Sequence, residues 1–160
     1  MAIKVGDKVP EGAMGHKTAE GINPVSTSEL FDGKKVVLFS VPGAFTPTCS
    51  AKHLPGFVQQ AAAIKAKGVD TIACMAVNDP FVMEAWGKDQ NVGDAVLMLA
   101  DGSANYAKEL GLELDLNAMG LGTRSQRFAM IVDDGTVTEL MIDGAGEFGE
   151  TSAESVLEKL

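Results

Sequence analysis

Cys49 lies in the segment Val41-Pro-Gly-Ala-Phe-Thr-Pro-Thr-Cys49-Ser-Ala-Lys-His53. The residues before it are mostly small, hydroxylated or proline, and they follow an apolar run, Val36-Val-Leu-Phe-Ser-Val41, that reads as a buried strand. The residues after it enter an alanine-rich helical pattern. A thiol at such a strand-to-helix turn can become a thiolate nucleophile. A free thiol with pKa near 8.5 is only about 3% thiolate at pH 7, and a shift to about 6 makes it roughly 90% thiolate. The free N–H groups of a helix start and a nearby guanidinium can together supply such a shift.

Thr46 precedes Cys49 by three residues, so the first helical turn brings its hydroxyl toward the same small space. A hydroxyl donates and accepts, and can hold an oxygen substrate beside the sulfur. Pro42 and Pro47 stiffen the loop, and Pro42 can shield one side of the thiolate from water. Such a pocket suits a small oxygen electrophile. No P-loop lysine follows, so a nucleotide is not indicated.

Other residue types have plainer readings. Cys74 lies in the apolar run Thr71-Ile-Ala-Cys-Met-Ala-Val77 and reads as a core residue. A Cys49–Cys74 disulfide would need α-carbons within about 7 Å, and local unfolding. His53 stands four residues after Cys49, but two ligands do not make a metal site, and the other histidine is the distant His16. His53 therefore reads as structural or weakly electrostatic. Thr46 alone could be a helix cap, and Arg124 and Arg127 could be surface charges. Met75, Met83, Met98, Met130 and Met141 read as core filler. Gly120-Leu-Gly122 is a loop, not a dinucleotide fingerprint, because no strand leads directly into it. No cofactor is indicated.

The elements that must position Cys49 alternate. Residues 1–34 look irregular, with short extended pieces and a capping signal at Ser26-Thr-Ser-Glu29. Strands are expected at 35–41, 69–77, 96–100 and 127–133, the last turning through Asp134-Gly135 into a strand at 136–142. Helices are expected at 49–67, 81–88, 103–110 and 151–160, the last capped by Thr151 or Ser152. Pro55 implies a kink or a restart in the first of these. This order implies an α/β fold with a central mixed sheet flanked by helices. Chemistry in such sheets sits beyond the carboxyl ends of the strands, where Cys49 falls.

The chain has 160 residues, 46% of them hydrophobic, which suits a single domain over 1–160. No apolar run approaches the roughly 18 residues of a membrane span, and no signal-peptide core follows Met1. The net charge of −9 argues against nucleic acid or an anionic membrane as partner. Two cysteines do not make a disulfide framework here, and the expected setting is a reducing, cytoplasmic one.

Pro42-x-x-x-Thr46-x-x-Cys49 resembles the peroxidatic motif of peroxiredoxins, and residues 42–56 as a whole resemble the type II or type-five subgroup. So do Asn78-Asp-Pro-Phe81, the Ala85-Trp86-Gly87 region, Leu99-Ala-Asp101 and Arg124-Ser-Gln-Arg127-Phe128. The resemblance implies a thioredoxin-like fold and reduction of hydrogen peroxide or alkyl hydroperoxides. It implies that Cys49 attacks the peroxide and becomes a sulfenic acid. Thr46 would orient the peroxide, Pro42 would shield the sulfur, and the backbone N–H groups of Thr48 and Cys49 would bind substrate oxygens. Arg127, ahead of Phe128, would stabilise the thiolate and the leaving oxygen, with Arg124 behind it. Some subgroup members carry a resolving cysteine near the C-terminus; here residues 144–155 offer Thr151 and Ser152 instead. The implied reductant is an external thiol, glutathione with glutaredoxin or thioredoxin, and the implied assembly is a homodimer.

Three functions compete at this level. One is a thiol peroxidase without an internal resolving cysteine. Another is a thioredoxin-fold redox sensor or glutathione-conjugating module without efficient turnover. The third is a structural or holdase dimer. Thr46 and Arg127 together favour the first, because sensing needs no peroxide-orienting hydroxyl.

Overall fold

The computed structural model describes residues 2–144 and 146–160. Met1, where the expected leaderless start begins, and Ala145, inside the 144–155 stretch, lie outside the described residues. The central sheet has seven strands in the order β2-β1-β5-β4-β3-β8-β9. They are β1 (Ala13–Thr18), β2 (Gly21–Ser26), β3 (Lys35–Ser40), β4 (Thr71–Ala76), β5 (Leu97–Ala100), β8 (Arg127–Asp133) and β9 (Thr136–Asp143). A separate hairpin joins β6 (Glu113–Leu116) to β7 (Gly122–Ser125). The helices are α1 (Thr27–Phe31), α2 (Leu54–Ala66), α3 (Pro80–Asp89), α4 (Asn105–Leu110) and α5 (Ala153–Lys159).

β3, β4 and β5 pair in parallel, with α2 and α3 as crossovers, whereas β8 runs antiparallel to β3. The sheet is therefore mixed, as expected. Its central strands are apolar on both faces because both faces are covered. Val37, Phe39, Ile72, Cys74, Ala129 and Ile131 face one core, which α2, α3 and α5 close. Val36, Leu38, Ala73, Met75, Phe128 and Met130 alternate with them and face a second core under α1 and α4. The five methionines read as core filler are all buried. Cys74 is wholly buried, and burial, with the neighbouring Cys49 second, pushes its thiol well above its ordinary pKa.

The capping signals at Ser26 and Ser152 hold, and Asp79 also caps a helix. Ser26 Oγ accepts from Glu29 N–H at 3.1 Å, Asp79 Oδ1 accepts from Val82 N–H at 2.9 Å, and Ser152 Oγ accepts from Ser155 N–H at 3.2 Å. The Asp134-Gly135 turn has φ values of 48° and 81°, the left-handed pair that a two-residue hairpin requires. One expectation needs correction. Residues 1–34 are not merely irregular, since they hold the β1–β2 hairpin, paired from Ala13–Ser26 to Thr18–Gly21. Gly120 and Leu121 form a loop as expected, in the turn of the β6–β7 hairpin that Gly122 re-enters, and that hairpin was not among the expected strands. Among the described residues, no helix is long and apolar enough to cross a membrane.

Candidate active site

The loop after β3 is pinned from three directions. Val41 N–H bonds to Met75 O at 3.2 Å. Ala44 N–H bonds to Asn78 Oδ1 at 2.9 Å, which ties the loop to the start of α3. Arg124 Nη1 donates to Pro42 O at 3.2 Å, and its Nε donates to Leu121 O at 2.9 Å. Gly43 lets that guanidinium approach, because a Cβ there would lie 2.7 Å from Arg124 Nη1. Arg124 thus braces the loop through backbone carbonyls.

Thr46 Oγ1 donates to Gly43 O at 2.6 Å, which leaves its lone pairs free to accept from a ligand. Helical backbone starts at Pro47, and Ser50 N–H makes the first turn's bond, to Thr46 O at 3.0 Å. Thr48 and Cys49 therefore hold N–H groups that a first helical turn leaves without an intrahelical acceptor. The next turn, Cys49–His53, is π-helical, and Leu54 N–H reaches back to Cys49 O. The expected restart near Pro55 is this junction. Pro55 falls in the first turn of α2, directly after the π-turn. Trp86 Nε1 donates to Ser50 Oγ at 3.0 Å and holds the turn against α3.

Arg127 enters from the first position of β8. Its Nη2 donates to Cys49 Sγ at 3.1 Å, and its Nη1 to His53 Nδ1 at 2.7 Å. The ion pairs among the described residues are Lys4–Asp7, Lys17–Glu84 and Lys88–Glu84, so this buried guanidinium has no carboxylate partner. A buried cation needs an anionic or strongly polar partner, and a thiolate on Cys49 meets that need.

His53 is the residue whose part the sequence understated. An arginine only donates, so Nδ1 must accept, and the proton lies on Nε2. Nε2 then donates to Thr151 O at 3.0 Å. Burial first, and the Arg127 charge second, push its pKa from 6.5 to about 3, so the ring is neutral. Phe39, Phe57 and Phe148 surround it, with centroids 5.0, 5.6 and 5.1 Å away. The spacing of four from Cys49 was a visible signal, too sparse for a metal site and read as structural or weakly electrostatic; the structure uses it to hold an arginine.

Pro42, Thr46, Thr48 and Arg127 line one pocket of about 280 Å³, with Leu114, Leu116 and Met119 of the β6–β7 hairpin forming an apolar wall. Four of the five expected site residues therefore share one space. The fifth, Cys49, is completely buried and meets that group through Arg127. A larger cleft of about 630 Å³ opens at the opposite, amino ends of β4 and β5, beside His16, Lys65, Asp70 and Asp94. It holds no thiol and no residue of the Cys49 motif.

Residues 4–157 match the Redoxin family. The chain is 51% identical to Peroxiredoxin-2B of Arabidopsis thaliana, across 99% of this chain and 98% of that one. This chain belongs to the peroxiredoxin family. Among solved structures it is similar to reduced Prx3 of Vibrio vulnificus in complex with hydrogen peroxide, with TM-score 0.94, 51% identity and 98% of each chain covered. It is also similar to the Plasmodium falciparum antioxidant protein, a 1-Cys peroxiredoxin, with TM-score 0.90, 26% identity and 98% of each chain covered. The fold is thioredoxin-like, and the peroxiredoxin is a thiol peroxidase that consumes a peroxide and a reducing thiol.

Proposed function

We propose that Cys49 is the peroxidatic nucleophile of this peroxiredoxin. The observation that carries the reading is the 3.1 Å contact between Arg127 Nη2 and Cys49 Sγ, made by a guanidinium with no carboxylate partner among the described residues. Arg127 sets a positive charge 3.1 Å from the sulfur that carries the attacking electron pair. The thiolate attacks one peroxide oxygen, an S–O bond forms, and the O–O bond breaks. The proton of the attacked oxygen leaves with the other oxygen as water or an alcohol. The sulfur, oxidised by two electrons, remains as a sulfenate.

Thr46 accepts the peroxide O–H, since its own proton is committed to Gly43 O. Arg127 and the N–H groups of Thr48 and Cys49 stabilise the charge that moves onto the leaving oxygen. Pro42 closes one side of the pocket. The substrates are hydrogen peroxide and alkyl hydroperoxides.

An external thiol then attacks the sulfenic sulfur, releases water and forms a mixed disulfide, which a second thiol reduces. Glutathione with glutaredoxin, or thioredoxin, fills that role. Residues 144–155 hold no cysteine, and Cys74 is buried and kept protonated, so an internal partner is disfavoured. A homodimer through the face of the active-site loops is supported by exposed Phe45 and Phe81, which flank the Ala44–Asn78 bond. A cytoplasmic location suits two free thiols.

The test is stopped-flow oxidation by hydrogen peroxide with sulfenic-acid trapping. The second-order rate should far exceed that of free cysteine, vanish in Cys49→Ser and persist in Cys74→Ser. A wild-type rate no faster than free thiol, or one surviving Cys49→Ser, removes Cys49 from the role.

A further inference from the structure

Asp143 ends β9 directly opposite Arg127 in the β8–β9 register, yet the two make no ion pair. Its carboxylate is turned to the loop before α5. Oδ2 accepts from Gly149 N–H at 3.1 Å, Thr151 N–H at 3.1 Å and the Thr151 hydroxyl at 2.6 Å, while Oδ1 accepts from Glu150 N–H at 3.0 Å. Burial alone would raise this carboxyl, but the Thr151 hydroxyl and the three N–H groups more than offset it and hold its pKa below the ordinary value. The bonds fix the Thr151 carbonyl, which faces His53 Nε2–H at 3.0 Å.

We infer that Asp143 and Thr151 are positioning residues for the peroxidase reaction, acting on Cys49 through His53 and Arg127. The inference rests on the assignment of Cys49 as nucleophile. With the Thr151 carbonyl as acceptor, the imidazole proton stays on Nε2, and Nδ1 keeps a lone pair for Arg127 Nη1. The other tautomer would set an N–H against an N–H and push the guanidinium off the sulfur. The same four bonds saturate Asp143, so it does not neutralise the cation across the strand pair. The sulfur therefore keeps the arginine's charge. Both effects depend on a loop distant in sequence from the cysteine, and no motif around Cys49 contains either residue.

The experiment compares wild type, Asp143→Asn, Thr151→Val and Thr151→Ser. An asparagine keeps only one oxygen acceptor, so its NH₂ must face the Glu150 N–H or the Gly149 and Thr151 donors, and the clamp weakens. Asp143→Asn should slow peroxide oxidation of Cys49 about tenfold and move the pH profile of its alkylation by iodoacetamide to higher pH. Nitrogen NMR of the imidazole should show His53 leaving the single Nε2–H form. Thr151→Val, the milder change should Asp143→Asn fail to fold, should shift the same three readouts in the same direction by a few-fold in rate. Thr151→Ser should restore most of what Thr151→Val loses. On a His53→Ala background, Asp143→Asn should add no further loss. A folded variant that keeps the wild-type tautomer and alkylation profile overturns the inference, whether or not its rate falls. So does a loss that adds fully on the His53→Ala background. Failure of Cys49→Ser to abolish oxidation would instead strike the assignment beneath it.

Discussion

The guanidinium of Arg127 donates to the sulfur of Cys49 at 3.1 Å, from a residue 78 positions away in the chain. The contact exists because β8 pairs with β3, Ser40 opposite Phe128, which sets Arg127 beside the loop that carries Cys49. The same fork reaches His53 with its other nitrogen, so one planar group spans two acceptors. A lysine cannot do this, since its ammonium is a single point charge. Arg127→Ala should slow peroxide oxidation on the order of 10²-fold, the usual effect of removing one preorganised electrostatic donor. Arg127→Lys should recover only part of that loss. Stopped-flow rates on both variants, with alkylation at neutral pH as a measure of thiolate, check the point. An unchanged alkylation rate in Arg127→Ala would take the arginine out of the site.

Thr46 separates substrate orientation from thiol activation. Its hydroxyl bonds to Gly43 O and not to the sulfur, so its loss should leave the thiolate nearly untouched. Thr46→Val should therefore slow oxidation by hydrogen peroxide by 10²-fold or more while iodoacetamide alkylation changes little. Thr46→Ser should keep most of the peroxide rate. Equal losses in both assays would mean that the hydroxyl acts on the sulfur or the loop and not on the peroxide.

Much of this arrangement was legible because it is contiguous. Pro42, Thr46 and Cys49 lie within one loop and one turn, and β3, β4 and β8 are apolar on both faces, which leaves long hydrophobic runs in the sequence. The β1–β2 hairpin was not legible. Strand β2 is an edge strand with exposed residues and a proline at Pro24, and edge positions tolerate both without an apolar pattern. Nor was β6–β7, since Gly122-Thr-Arg-Ser carries no alternation to mark it. The reach of His53 was hidden for a different reason. Its partner is the backbone carbonyl of Thr151, and a carbonyl has no residue type to read.

Gly43 tests whether the loop needs a close approach. Any Cβ at this position would lie 2.7 Å from Arg124 Nη1 and 3.0 Å from Thr46 Cγ2, and Arg124 is already held by two carbonyls. Gly43→Ala should therefore displace the Arg124–Pro42 bond and shift Thr46, at a stability cost of about 1–3 kcal/mol. The peroxide rate should fall by more than that of Arg124→Ala, which loses one tie without the clash. Thermal melting and stopped-flow oxidation on both variants decide it; a Gly43→Ala protein with wild-type rate would show that the loop has room to spare.

His53 makes stability depend on pH in a window set by its shift. In the folded protein its pKa is about 3, against 6.5 when unperturbed, because burial and then Arg127 disfavour the charged ring. Between those values the unfolded chain binds a proton that the folded chain refuses. Stability should therefore rise with pH through this window, by at most about 1.4 kcal/mol per pH unit from this group, and flatten above 6.5. Asp143 acts in the same direction but lower. Its folded pKa is below 3.8, so the stability it contributes is present above the ordinary value and is lost as pH falls from there through the lowered one. Urea unfolding midpoints from about pH 2 to pH 8 separate the two. His53→Gln keeps an acceptor for Arg127 and a donor for Thr151 but does not titrate, so it should remove most of the slope between pH 4.5 and 6.5. A slope that survives His53→Gln would assign the pH dependence to the surface carboxylates instead.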